Sequence, residues 1–154
     1  MGRTSRHKPT RAARSAAAFC MLGALIAMPS AARADAAVAI GLPADVATHG
    51  ISMFIYVNAP SSQEAKSQAV AGCKTVGSAT SKALCRVLAT FKNQCAAEAF
   101  DPKDGTPGFG WAVAETLEEA KRQALANCRD TAGPDRQDAC MVPEKGFACD
   151  GRAR

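Results

Sequence analysis

Aromatic side chains are scarce in this chain: six phenylalanines, one tyrosine and one tryptophan among 154 residues. A core with so few large rings must draw on small residues and on something besides side-chain bulk. Histidine is scarcer still, with His7 and His49 alone. A nucleophile activated by an imidazole base therefore has almost no candidates. No apolar run reaches the roughly 18 residues that a membrane-spanning helix needs. Glycine-rich phosphate loops, His-Glu-x-x-His and calcium-loop patterns are missing. Gly105, Gly108 and Gly110 stand among prolines ahead of an expected strand, as in a linker rather than a nucleotide loop. These absences leave no cofactor, no metal and no catalytic residue to assign.

What is present begins with the first 34 residues. Arg3, Arg6, Lys8, Arg11 and Arg14 give a basic opening, residues 16–28 are apolar or small, and Pro29 ends the run. Ala32, Arg33 and Ala34 then place small residues at the spacing a signal peptidase reads. This is the order of a secretory signal peptide, so residues 1–34 are expected to be one. Cleavage is expected after Ala34, with Ala36 as the second choice. Cys20 follows Phe19 inside the apolar run instead of ending it, and so reads as an ordinary signal residue and not as a lipidation site. Arg11 and Arg14 are not adjacent, which speaks against a twin-arginine signal.

The signal also carries most of the charge asymmetry. The whole chain has a formal net charge of +5, but residues 1–34 hold 6 of the 19 Lys and Arg and none of the 14 Asp and Glu. The 120 residues that remain carry 13 basic and 14 acidic groups, interleaved. Without a basic cluster, nucleic acid is not the expected partner. The expectation is a small domain outside the cytoplasm, periplasmic or secreted, with no transmembrane segment and with an envelope or extracellular protein as its partner.

One stretch organises this remainder. Glu119-Ala120-Lys121-Arg122-Gln123-Ala124-Leu125-Ala126-Asn127-Cys128 repeats Glu64-Ala65-Lys66-Ser67-Gln68-Ala69-Val70-Ala71-Gly72-Cys73, with seven of ten positions identical at an offset of 55. Two copies of one unit are therefore expected. Residues 35–50, with Gly41, Pro43 and Gly50, read as a lead-in on the surface, and His49 within them as an exposed loop residue. Residues 51–57 are rich in branched and aromatic side chains and read as a strand.

Ser61 with Glu64, and Thr116 with Glu119, make a capping box at the start of each helix, in which both side chains satisfy backbone donors. Ala65, Ala69, Val70 and Cys73 form the apolar stripe of the first helix. Leu117, Ala120, Ala124, Leu125 and Cys128 form that of the second, whose Glu118 is placed to pair with Arg122. Residues 83–90 and 95–100 read as strands joined by a hairpin loop over 91–94. Residues 101–108 connect the repeats. Further strands are expected at 110–114, 139–142 and 147–149, and a frayed tail at 151–154. Each unit is thus strand, helix, strand, strand, over residues 51–100 and 106–150. Together they predict one α+β domain: an antiparallel or mixed sheet with two helices packed on it, stapled by disulfides.

The staples are Cys73, Cys85, Cys95, Cys128, Cys140 and Cys149. An even count at repeated spacing in an exported chain reads as a disulfide framework. Zinc ligands cluster two to four residues apart, often with histidine, and these cysteines do not. Six cysteines allow 15 pairings. A symmetric solution closes Cys73 to Cys85 and Cys128 to Cys140 locally and joins Cys95 to Cys149 across the units.

The Phe109-Gly110-Trp111-Ala112-Val113-Ala114 strand, the Glu119 to Cys128 helix, Cys140-Met141-Val142 and Cys95-Ala96-Ala97 resemble a family of small exported bacterial proteins known as domain of unknown function 4189. The resemblance runs over roughly residues 51–150. It implies export and cysteine bridges, and it brings no catalytic residues. Trp111 matches Tyr56 of the first copy and reads as core packing. Carboxylates such as Glu98, Asp101, Asp104 and Glu115 offer a glycosidase-like pair only in principle, since any acid-containing protein offers such pairs and solvated surface charge is their default reading. The expected function is a non-enzymatic protein-binding or inhibitory module of the cell envelope. A carboxylate-dependent envelope hydrolase and a purely structural envelope component are the alternatives.

Overall fold

The computed structural model describes residues 35–154. The expected signal segment, with Cys20 and the cleavage site after Ala34, lies outside the described residues. In order, the elements are β1 (Asp35–Gly41), α1 (Val46–His49), β2 (Ser52–Ala59), α2 (Ser62–Cys73), α3 (Ala79–Ala83) and β3 (Arg86–Phe91). They continue with β4 (Cys95–Phe100), β5 (Phe109–Ala114), α4 (Leu117–Ala132), a 3-10 turn (Gln137–Ala139) and β6 (Phe147–Cys149). The strands form two antiparallel three-stranded sheets, ordered β2-β1-β3 and β5-β4-β6. The class is α+β and disulfide-stapled, with the strands divided between two sheets instead of sharing one.

The division follows from which side chains each strand buries. Ala36, Val38 and Ile40 of β1 cluster with Met53, Phe91, Ala96 and Phe109, so the two sheets pack face to face. Ala37 and Ala39 point the other way, against Ala65, Ala69 and Cys73 of α2. On the far side, Ala97, Ala99, Ala112 and Ala114 meet Ala120, Ala124 and Cys128 of α4. The result is four layers: helix, sheet, sheet, helix. Alanine on both partners lets each helix sit close to its sheet, and Gly110 brings the backbone of α4 closer still. A Cβ there would meet the backbone at Ala124 and Cys128.

Residues 35–41 are therefore not a surface lead-in. They form the central strand of the first sheet, with residues 36 to 40 each at most 2% exposed. A strand buried on both faces shows no alternation of apolar and polar residues, and the small size of its alanines hides it further. The phase of the repeat shifts accordingly. Each unit is strand, strand, helix, strand: β1-β2-α2-β3 and β4-β5-α4-β6. Residues 91–94 do not close a hairpin, because β3 and β4 belong to different sheets. The strand expected over 139–142 is a 3-10 turn followed by a single bridge from Met141 to Phe100.

Cys73 is bonded to Cys85 and Cys128 to Cys140, with Cα separations of 5.9 and 6.0 Å. Each bridge ties the C-terminal part of α2 or α4 to the chain leading into the next strand. Cys95 and Cys149 face each other across β4 and β6 and are bonded. That bridge lies inside the second repeat, not between repeats, because β4 belongs to the second. At the matching place in the first repeat, Asp35 pairs with Ala59 as Cys95 pairs with Ala114. One step beyond the Ala36–Phe91 pair, the Lys92 ammonium lies 3.8 Å from the Asp35 carboxylate. The first repeat has an ion pair where the second has a disulfide.

Both helix starts are capped on one side only. Ser61 accepts from the Glu64 N–H at 3.2 Å, and Thr116 from the Glu119 N–H at 3.3 Å. The glutamates do not return the bond. Glu64 accepts from Gln68 at 2.6 Å, and Glu119 accepts from Arg122 and Gln123. Arg122 thus pairs with Glu119 three residues back, not with Glu118.

One buried carboxylate joins the repeats. Asp150, fully buried, accepts from the backbone N–H of Asn58 at 2.8 Å and of Asn93 at 3.1 Å. Among the described residues, Asn58 and Asn93 are the two non-glycine residues with positive φ, at 59° and 50°. Asparagine tolerates that region better than most residues. Their N–H groups are thereby turned onto one acceptor.

Candidate functional site

β2 and β6 touch along one side of the two sheets, and Asp150 fastens that side. The strand orders place β3 and β5, each an outer strand, together on the opposite side. There a cleft of about 620 Å³ opens between the sheets, within the roughly 300–1,000 Å³ usual for ligand pockets. Ile40 pairs with Arg86, so the two side chains share the inner face of the first sheet, since directly opposed residues point the same way. With Leu88 they line one wall, and Phe109 and Trp111 line the other. Leu42, Asp45 and Val46, at and before α1, close one end. Leu42 is 47% exposed, so the apolar lining continues to the surface.

Most polar groups of the cleft are already engaged. Asp45 accepts from the hydroxyl of Thr48 at 2.7 Å and from its N–H at 2.9 Å. These bonds, the hydroxyl's first, hold its carboxyl below the usual range. Thr131 of α4 donates its hydroxyl to the Phe109 carbonyl at 2.8 Å and accepts from the Phe109 N–H at 2.8 Å. The Asn127 amide donates to the Trp111 carbonyl at 2.8 Å. These two side chains thereby cover the first part of the outer edge of β5, at Phe109 and the Trp111 carbonyl. The outer edge of β3 has no such cover: among the described residues, no strand or side chain bonds to it. Arg86, at the start of β3, is exposed and has no ion-pair partner among the described residues.

The other carboxylates single themselves out less. Asp101 receives Arg136 in a two-pronged pair, with its Oδ2 2.7 Å from the guanidinium Nε. The Arg136 hydrogen bond, with a backbone bond from Lys103, holds the Asp101 carboxyl down to about 2. Asp101, with Lys103, Asp104 and Thr106, borders a polar hollow of about 380 Å³. Glu98 lies on the inner face of β4, opposite Trp111, and burial pushes its carboxyl up to about 7. The hollow at Glu98 holds only about 100 Å³, between Met53, Ile55, Lys145 and Phe147. His49 is exposed at the end of α1 and does not line the cleft.

The structure thus brings together residues that sequence reasoning left apart. Trp111, read as core, packs partly into the inter-sheet core and also forms a wall of the cleft. Arg86, Leu88, Ile40 and Leu42 were not anticipated. The one available signal was an arginine inside an otherwise apolar strand, and it points to a site only once β5 is known to lie opposite. No helix among the described residues is long and apolar enough to cross a membrane.

No curated protein and no solved structure matches the chain. One family model does match, over residues 29–144, taking in both repeated helices, five of the six bridged cysteines and β1, which the resemblance over 51–150 had left out. On that match the chain belongs to the family described as Domain of unknown function (DUF4189).

Proposed function

We propose that this protein is an exported, disulfide-stapled binding module of the cell envelope or extracellular space that recognises a protein partner without turning it over. The observation that carries this reading is the open β3–β5 side, where an apolar cleft meets an uncovered strand edge. Export is supported by the basic, apolar, small-residue order of residues 1–34 and by three disulfides, which persist in oxidising compartments. Processing after Ala34 leaves β1 whole. Processing after Ala36 would remove Asp35 and Ala36, the second of which is fully buried. The mass of the exported chain is therefore expected to begin at Asp35. In-cell cross-linking followed by mass spectrometry of the captured species tests the partner. A reproducible protein partner supports the reading, and exported protein that cross-links to nothing above background removes its basis.

One observation favours a second reading, a hydrolase acting through carboxylates. A carboxyl lifted to about 7, as at Glu98, suits a general acid. The hollow of about 100 Å³ beside it falls short of the roughly 300 Å³ at which ligand pockets begin. Turnover of a glycan substrate that Glu98→Gln abolishes would establish this reading over the first.

A further inference from the structure

We propose that the partner of this module docks by adding an extended segment to the outer edge of β3, with apolar side chains entering the cleft and a carboxylate meeting Arg86. The inference rests on the protein-binding reading above and names the chemistry of that partner.

Three observations converge on this edge. The first is an asymmetry between the two strands that flank the cleft. Three outer backbone groups of β5, the Phe109 N–H and C=O and the Trp111 C=O, are taken by Thr131 and Asn127, whereas among the described residues none of those of β3 is covered. An uncovered edge is a template for a further strand, and proteins that do not use it usually blunt it. Here one edge is partly covered by side chains, while its neighbour across the cleft, though bulged at Leu88, has no such cover.

The second is the position of the apolar surface. A strand laid along β3 sends alternate side chains to the inner face of the first sheet. That is the face of Ile40 and Leu88, so every second residue of the added segment would enter the cleft opposite Phe109 and Trp111. Backbone pairing then supplies affinity and the cleft supplies selectivity, as in other cases of strand addition.

The third is charge. Arg86 shares that inner face through its pairing with Ile40 and has no anionic partner among the described residues, while Asp45, the acid at the cleft, is occupied as the cap of α1. A guanidinium fork at the mouth of an apolar cleft selects a carboxylate. The segment so described is extended, apolar at alternate positions, and acidic at the end that passes the start of β3.

The test is selection of random decapeptides displayed on phage against purified oxidised protein. Enriched peptides are expected to show apolar residues two apart and an Asp or Glu at one end. Synthetic copies should shift the emission of Trp111, the sole tryptophan of the chain, in a saturable way. N-methylation of successive peptide nitrogens should abolish binding at every second position and leave the others within about twofold. Arg86→Glu, at an exposed site, should weaken binding about tenfold or more, while Arg86→Lys should keep part of it.

Absence of enrichment, no alternation in the N-methyl scan, or equal binding by Arg86→Glu would overturn the inference. So would a saturable Trp111 response to decanoate that the selected peptides cannot displace, which would make the cleft a site for small amphiphiles. If in-cell cross-linking captures a protein through other surfaces, this inference fails while the protein-binding reading stands.

Discussion

Replacing Cys95 and Cys149 by alanine removes the bridge that closes the longest loop, with a sequence separation of 54 against 12 for each of the other two. In the chain-entropy model a loop of that length is worth about 4 kcal/mol, and each short loop about 3 kcal/mol. Both substitutions remove two sulfur atoms, so the cavity cost is similar and the difference reports the loop. The first repeat supplies an internal control at the same place in the fold. Its Asp35–Lys92 pair is open to solvent, with side chains 25% and 44% exposed, and such pairs contribute under about 1 kcal/mol. Urea unfolding of the oxidised proteins, compared as free energies because loss of a bridge also changes the denatured state, should give an order. Cys95→Ala/Cys149→Ala loses most, Cys73→Ala/Cys85→Ala somewhat less, and Asp35→Ala/Lys92→Ala little. If the charge-pair variant lost as much as the long-bridge variant, or the short bridge cost more than the long one, the correspondence between the repeats and the entropy argument would both be wrong.

Other consequences can be checked on the same material. Gly110→Ala places a Cβ against the backbone at Ala124 and Cys128. It should push α4 off β5 at a cost of about 2–4 kcal/mol, read as a lower thermal midpoint. Glu98, raised to about 7 by burial, binds its proton more tightly folded than unfolded. Its contribution to stability is complete below its unfolded value near 4.5 and is lost as pH rises through about 7. Glu98→Gln should therefore be more stable than the parent at pH 8 and differ least at pH 4, as followed by urea unfolding across that range.

Much of the architecture is legible in the chain because the physics behind it is local. The helices announce themselves by Ser61 and Thr116 as caps and by alanines at helical spacing. The ten-residue repeat ending in Cys73 and Cys128 marks the second copy. β1 was hidden because Ala36 to Ala39 are small and buried on both faces, so neither bulk nor alternation marks them. The phase of the repeat was hidden with it, since β1 and β4 share only alanines, Ala36, Ala37 and Ala39 against Ala96, Ala97 and Ala99, and the connection from β1 to β2 is longer than that from β4 to β5. A short link looks the same whether it joins neighbouring strands or two sheets, and residues 92–94 do the second. The cleft was illegible for a stronger reason. Ile40, Arg86 and Trp111 come from three strands, and the exposure of the β3 edge depends on Thr131 and Asn127 covering β5 and leaving β3 uncovered.

Amide hydrogen exchange on the oxidised protein, resolved by residue, reads out this division into a closed side and an open one. A module closed at β2 and β6 and open at β3 should protect the amides of β1 and β4 most strongly. The Phe109 amide, bonded to Thr131 at 2.8 Å, should be slowed although it lies on an outer strand. In β3, from Arg86 to Phe91, alternate amides should exchange on the order of 100-fold faster than those of β1, because only half of them have a partner. Uniform protection along β3, or rapid exchange of β1 as a loose arm, would contradict it.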